Sequence, residues 1–241
     1  GELFKDLRPE LINNYPSSTF PLLIKFLDAA ENLSVQIHPD GKYARAHGMG
    51  DCGKTECWYV LDAAEDAQLI LGFKRGTTID DVRYAIKNGS LHHLLNYVNV
   101  RPGEVYYVPA GTVHAILGGN LICEIQQPSD ITLRLYDWGR VDSNGNCREL
   151  HIEQCLQTAD LAPHDYRIKP VTLDHGTYQH SYRVACRYFT MEEYLLTNTT
   201  SLHLPPKEYI RILTAINGTL TMHYPGGNRQ LYKGQTVLLP S

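Results

Sequence analysis

Short stretches of this chain alternate apolar and polar residues. "LIKFLDA", "LSVQIH", "ECWYVLD", "AQLILGF", "EVYYVPA" and "LICEIQQ" are rich in β-branched and aromatic residues, and Gly, Pro, Asn or Asp separate them. That pattern predicts short strands, each with one face buried. Many such strands with turn signals between them predict a mainly β fold, a sandwich or a barrel. Two spans break the alternation. In "TTIDDVRYAIKNGSLHHLLNY" (77–97), Ile79, Val82 and Ile86 repeat at helical spacing behind Thr caps and acids, and "NGS" interrupts the run. Two short helices are expected there. "RELHIEQCLQTADL" (148–161) predicts one more.

An internal echo bears on the architecture. "RPGEVYYVPAG" (101–111) and "YKGQTVLLPS" (232–241) share one template, a turn Gly, five mostly apolar residues and then Pro. A repeated template predicts two β-barrel units in tandem. The Pro-containing polar stretch "LAPHDYRIKPVTLDHGTYQHSYRVACRYF" would be the crossover, near residue 165. The chain has no initiator Met and stops inside the second template, so both termini are expected to be truncated.

Composition removes several function classes. The chain is 43% apolar and 20% charged over 241 residues, which suits a globular fold with a real core. The net charge is −4 and no run of Lys and Arg stands out, which argues against nucleic acid as partner. Apolar runs are too short to span a membrane, and there is no signal-peptide pattern. Six cysteines, at 52, 57, 123, 147, 155 and 186, form no CxxC pair, so they read as free thiols of a reducing cytoplasm.

The candidate chemistry begins in "LSVQIHPDGKYARAHGMGDCGKTECWYVL" (33–61), read as a strand, a loop rich in Gly and charge, and a second strand. Gln36 and His38 are two apart and share a face, and Glu56 lies beyond the loop. If that face is interior, three polar groups stand where aliphatics are expected, and a metal ion is their natural partner. Gly103, Pro109, Gly111 and His114 fit the pattern G-x5-P-x-G-x2-H, in which tight turns deliver His114 to the start of a strand. Together the two motifs resemble the cupin metal site, with Gln36 in place of the first His of the usual H-x-H. The resemblance implies Gln36, His38, Glu56 and His114 as metal ligands. Imidazoles and one carboxylate suit zinc, manganese or iron. With one anionic ligand a dication keeps net positive charge, which suits polarising a substrate oxygen.

Flanking segments narrow the resemblance. "FPLLIKFLDAAENLSVQIHPD", "GKTECWYVLD", "VPAGTVHAI" and "EIQQPSDITLRLYDWGR" together resemble type I mannose-6-phosphate isomerase in its short bacterial form, including its Q-x-H, K-x-E and G-T-x-H ligand motifs. This family implies two tandem cupin (jelly-roll) β-barrels with a small helical insertion. The metal-binding unit would be residues 1–165, with the insertion at about 77–97. A metal-free second unit would span 166–241, incomplete at its C-terminus, with His203 and His223 not ligating. The resemblance also implies one zinc ion per chain, a small-molecule sugar phosphate as partner, a cytoplasmic enzyme, and interconversion of mannose 6-phosphate and fructose 6-phosphate by enediol proton transfer between C1 and C2. Carried over residue by residue, it makes Arg134, Lys54 and Glu124 catalytic, and Lys25, Ser34 and Arg140 phosphate contacts. Structural roles compete: Arg134 could pair with Asp130 or Asp137, and Lys54 and Arg140 could be solvated charges. The chain departs from the family in lacking an N-terminal segment with strands and a Trp-containing loop. A non-catalytic sugar-phosphate-binding cupin and a cupin oxygenase are the alternative readings; the oxygenase gains nothing from Lys25.

Overall fold

The computed structural model describes residues 20–197, 200–205 and 209–239. The chain divides into two compact units. One is residues 21–200; to the other belong, among the described residues, Phe20 and those of 201–239.

The larger unit is built on two antiparallel sheets. Strands β1 (Leu23–Ala29), β3 (Glu56–Ala63), β6 (Val105–Val108) and β8 (Asn120–Gln126) form one, in the order β1-β8-β3-β6. The second contains β2 (Val35–Ile37), β4 (Gln68–Phe73), β5 (Leu95–Asn99), β7 (His114–Ile116) and β9 (Leu133–Tyr136), in the order β5-β4-β7-β2-β9. Between the sheets lies a core to which both contribute, with Trp58, Val60, Tyr106 and Ile122 from the first and Leu69, Leu71 and Ile116 from the second. The far face of the five-stranded sheet is buried as well. There Val35, Ile37, Ile70, Ala115, Leu133 and Leu135 pack with Val82 of helix α2 (Ile79–Lys87) and with Cys155 and Leu156 of helix α3 (Ile152–Thr158).

No ladder joins β1 or β6 to β5 or β9, so the described residues form an open two-sheet sandwich and no closed barrel. The expected tandem barrels are corrected accordingly. Alternation reports that one face of a strand is buried, and a sandwich and a barrel satisfy that equally. The first unit also runs further than the expected boundary at residue 165. Strands β10 (Val171–Asp174), β11 (Tyr178–Ala185) and β12 (Thr190–Leu196) form a three-stranded sheet. The Tyr59 hydroxyl donates to Glu193 at 2.7 Å, and Cys57 Sγ lies 3.8 Å from Met191 Sδ, which ties this sheet to the outward side of β3.

The smaller unit contains two two-stranded ladders. Strand β13 (Arg211–Thr214) pairs with β16 (Thr236–Leu239), and β14 (Thr219–Tyr224) with β15 (Gly227–Tyr232). The echo between the two units has a conformational basis. Gly103 before β6 and Gly234 before β16 both adopt the left-handed conformation, at φ 86° and 84°. In each copy a glycine turns the chain into a strand.

The helical segments depart from expectation in three places. Asp40 caps helix α1 (Gly41–Ala46) by accepting from Tyr43 N at 2.7 Å, where a loop was expected. Helix α2 forms behind the capping box of Thr78 and Asp81, but the second helix of 77–97 is reduced to a 3₁₀ turn at Leu91–His93 before β5. "LNYVN" alternates and pairs with β4, and that ladder outcompetes the weak local helix signal. Helix α3 covers only 152–158 of the expected 148–161, because Arg148 is drawn to Asp137 and the backbone turns extended at Ala159. Among the described residues no helix is long and apolar enough to cross a membrane.

Candidate metal centre and pocket

Strand register places polar side chains in rows on the facing surfaces of the two sheets. On the four-stranded sheet, Lys25, Glu124, Trp58 and Tyr106 form one row, and Leu23, Gln126, Glu56 and Val108 the next. On the other sheet, Leu71, His114, Gln36 and Arg134 form a row. Directly opposed residues of antiparallel strands share a face, so each row presents its side chains together. His38 follows Gln36 by two residues, just past the end of β2.

The backbone around these rows is tightly fixed. Lys54 N donates to Pro39 O at 3.1 Å, and Gly111 N donates to His38 O at 2.8 Å. A side chain at Gly53 would meet the backbone of Asp40 and Gly41 at 2.6 Å, so only glycine fits where the two segments cross. The segments that carry His38, Lys54, Glu56 and His114 are thereby tied to one another.

His38, Glu56 and His114 are fully buried, and one ligand atom from each lies within 4.8 Å of the others. His114 Nε2 is 3.5 Å from Glu56 Oε1, and His38 Nε2 is 3.6 Å from Glu56 Oε2. Both imidazoles are oriented from behind: His38 Nδ1 donates to Ile131 O at 2.7 Å and His114 Nδ1 to Thr112 O at 2.9 Å. Each Nε2 therefore presents a lone pair to the site. Burial, then the neighbouring His114 and Lys54, pushes the His38 pKa well below its ordinary value. Burial, followed by Lys54, lowers that of His114 to about 4. Both rings are neutral at pH 7, the form a metal needs. The Gln36 amide completes the group, with Nε2 at 3.3 Å from His114 Nε2 and Oε1 at 3.4 Å from Ser34 Oγ.

Glu56 Oε1 is buried without a hydrogen-bond partner. A carboxylate oxygen left so is costly. Facing two imidazole lone pairs and an amide, it makes a donor set that fits a divalent cation. Lys54 Nζ lies 2.6 Å from Glu56 Oε2 and 2.8 Å from His38 Nε2, a second cationic partner for the same carboxylate.

A pocket opens beside this group, lined among others by Lys25, Gln36, Lys54, Trp58, His114 and Glu124. Lys25 Nζ, partly exposed, is 2.9 Å from Glu124 Oε1 and also donates to Gln126. Lys54 is 4.0 Å from the same Glu124 oxygen. Seven of the ten expected site residues are thus gathered at the pocket or the metal group: Lys25, Gln36, His38, Lys54, Glu56, His114 and Glu124. Ser34 lies behind Gln36.

The two arginines are engaged elsewhere. Arg134 shares the row of Gln36, but its Nη1 donates to Glu149 O at 2.9 Å. Arg140 pairs with Asp137 and donates to Asn32 O at 2.7 Å. The aspartate proposed as a partner of Arg134 is taken by Arg140 and Arg148. Two residues that sequence reasoning passed over belong to the site. Trp58 stands two residues beyond Glu56, and Gln126 two beyond Glu124; the strand period that grouped Gln36 with His38 could have found both.

Comparison with known proteins agrees with this geometry. The family profile "Phosphomannose isomerase type I, catalytic domain" matches residues 2–65. The mannose-6-phosphate isomerase of Streptococcus mutans is 38% identical over 242 residues, covering 100% of this chain and 74% of its own length. Mannose-6-phosphate isomerase ManA of Bacillus subtilis is 37% identical over 248 residues, at 100% and 75% coverage. The crystal structure of the mannose 6-phosphate isomerase from Bacillus subtilis superposes with a TM-score of 0.90 at 34% identity, over 99% of this chain and 75% of that one. With such identity along its whole length, the chain belongs to the type I phosphomannose isomerase family.

Proposed function

We propose that the protein is a zinc-dependent isomerase interconverting mannose 6-phosphate and fructose 6-phosphate through an enediol, by proton transfer between C1 and C2. The observation that carries this reading is the buried, unpartnered Glu56 Oε1 facing the Nε2 atoms of two neutral histidines. Gln36, His38, Glu56 and His114 would hold the ion, one per chain. When bound, zinc supplies an electrophile for the sugar oxygens.

The chain's own residues do the rest. Lys25, at the partly exposed side of the pocket, is placed to attract the substrate phosphate. Glu124 lines the pocket as a buried carboxylate and is the proton carrier of this reading, accepting from one carbon and returning to the next. Lys54, near both Glu124 and Glu56, stabilises the negative charge that develops on the sugar oxygens. Ser34 buttresses Gln36 from behind. Arg134 enters the reading only through its place beside Gln36 in the row. Arg140, tied to Asp137 and Asn32, has no contact role in it.

A coupled assay on mannose 6-phosphate tests the whole. Turnover is expected, with loss in EDTA and return on addition of zinc. Tight sugar-phosphate binding with no turnover would instead identify a non-catalytic binding module.

A further inference from the structure

We infer that Trp58 is a positioning residue of the pocket, whose indole N–H orients the Glu124 carboxylate while its ring braces His114. The inference rests on the isomerase reading, in which Glu124 and His114 both act. Trp58 is 1% exposed, and its Nε1 lies 3.2 Å from Glu124 Oε2. An indole N–H can only donate, and when buried it needs an acceptor. Here the acceptor is the pocket carboxylate itself.

The contact distinguishes the two oxygens of Glu124. Oε1 faces the lysines, with Lys25 at 2.9 Å and Lys54 at 4.0 Å, and Oε2 faces the indole. Without the N–H, nothing among the contacts just named holds Oε2, and the carboxylate is free to turn toward its cations. On its other side, the Trp58 ring meets the His114 imidazole edge-on, with centroids 5.4 Å apart and planes at 72°. One side chain thus spans the proton carrier and a metal ligand, and cross-strand register puts it there: Trp58 opposes Glu124 directly and follows Glu56 by two.

The competing role for Trp58 is core filler, for which ring and volume suffice and the N–H is irrelevant. Trp58→Phe separates the two, because it keeps an aromatic ring and deletes the donor. The chain has two tryptophans, so ¹⁵N-indole labelling gives two resonances and Trp58→Phe assigns them. Glu124→Gln is expected to move the Trp58 indole resonance and leave that of Trp138, whose N–H donates to Leu33 O at 2.8 Å. A Trp58 resonance that ignores Glu124→Gln refutes the hydrogen bond, whatever the enzyme does. In turnover of mannose 6-phosphate, Trp58→Phe is expected to lower kcat by about tenfold, the scale of one hydrogen bond to a charged group. KM should stay within about twofold. An unchanged kcat overturns the positioning role. A wild-type chain without turnover overturns the isomerase reading instead, and the labelled spectra then decide the Trp58–Glu124 contact alone.

Discussion

Lys54→Met isolates the central electrostatic arrangement. Lys54 is buried, its ammonium 2.6 Å from Glu56 Oε2, and Glu56 has no exposed surface. The other oxygen of Glu56 has no hydrogen-bond partner. Methionine keeps most of the volume and removes the charge. In the presence of chelator the variant leaves a buried carboxylate facing two neutral imidazoles, with no cation against it. Breaking a buried pair from one side costs about 3–5 kcal/mol. For a domain of this size that is a fall in Tm of roughly 10 °C. Zinc provides the missing positive charge, and any ligand that binds only the folded state stabilises it by mass action. The loss should therefore shrink once zinc is added, and the zinc-induced rise in Tm should be larger in the variant than in the wild type. The assay is thermal unfolding of both proteins, each with EDTA and with a zinc series. An equal loss in both conditions would refute the reasoning, because Lys54 and the metal would then not share Glu56. A loss below about 1 kcal/mol in EDTA would refute it too, since it would place Glu56 in water.

Acid should weaken the chelated protein before its carboxylates titrate. His114 is held at about 4 in the fold against 6.5 in the unfolded chain, and His38 is lowered in the same direction. The unfolded chain takes up these protons first, so the stabilisation is complete above pH 6.5 and is lost as pH falls toward 4. For His114 alone the span is worth about 3 kcal/mol; denaturation midpoints independent of pH between 7 and 4.5 would contradict it. Gly53→Ala should cost about 1–3 kcal/mol and weaken zinc binding in chelator competition, since the added Cβ strikes the Asp40–Gly41 backbone at 2.6 Å. Unchanged affinity and Tm would show that the crossing of the two segments tolerates a side chain. Thr78→Ala removes half of the α2 capping box, far in sequence from every ligand, and should cost about 1 kcal/mol by chemical denaturation with kcat intact.

What the sequence disclosed and what it withheld follow from the range of the interactions involved. Gln36 with His38, and Lys54 with Glu56, are each two residues apart, so local strand geometry announces them. Gly111 announces His114 through a local turn. These signals were enough to assemble the metal group across three segments. The second partners were silent because they depend on register between strands distant in sequence. Lys25 meets Glu124 across 99 residues and Trp58 meets Glu124 across 66. Alternation cannot say which residues of β1, β3 and β8 will stand opposite one another. The same limit explains the arginines. Arg134 was assigned by its neighbourhood in the sequence, yet the direction of its guanidinium is decided by the carbonyl of Glu149 and not by its own strand. The barrel expectation failed for a related reason, since closure is a property of sheet edges and edges carry no periodic signature. A metal site formed by motifs at short spacing is thus legible one strand at a time, whereas the polar rows that tune it become visible only when the ladder is known. Trp58 shows the gap most plainly. Its position after Glu56 marks it as inward-facing, but only the register with Glu124 turns an ordinary core tryptophan into a donor aimed at the pocket carboxylate.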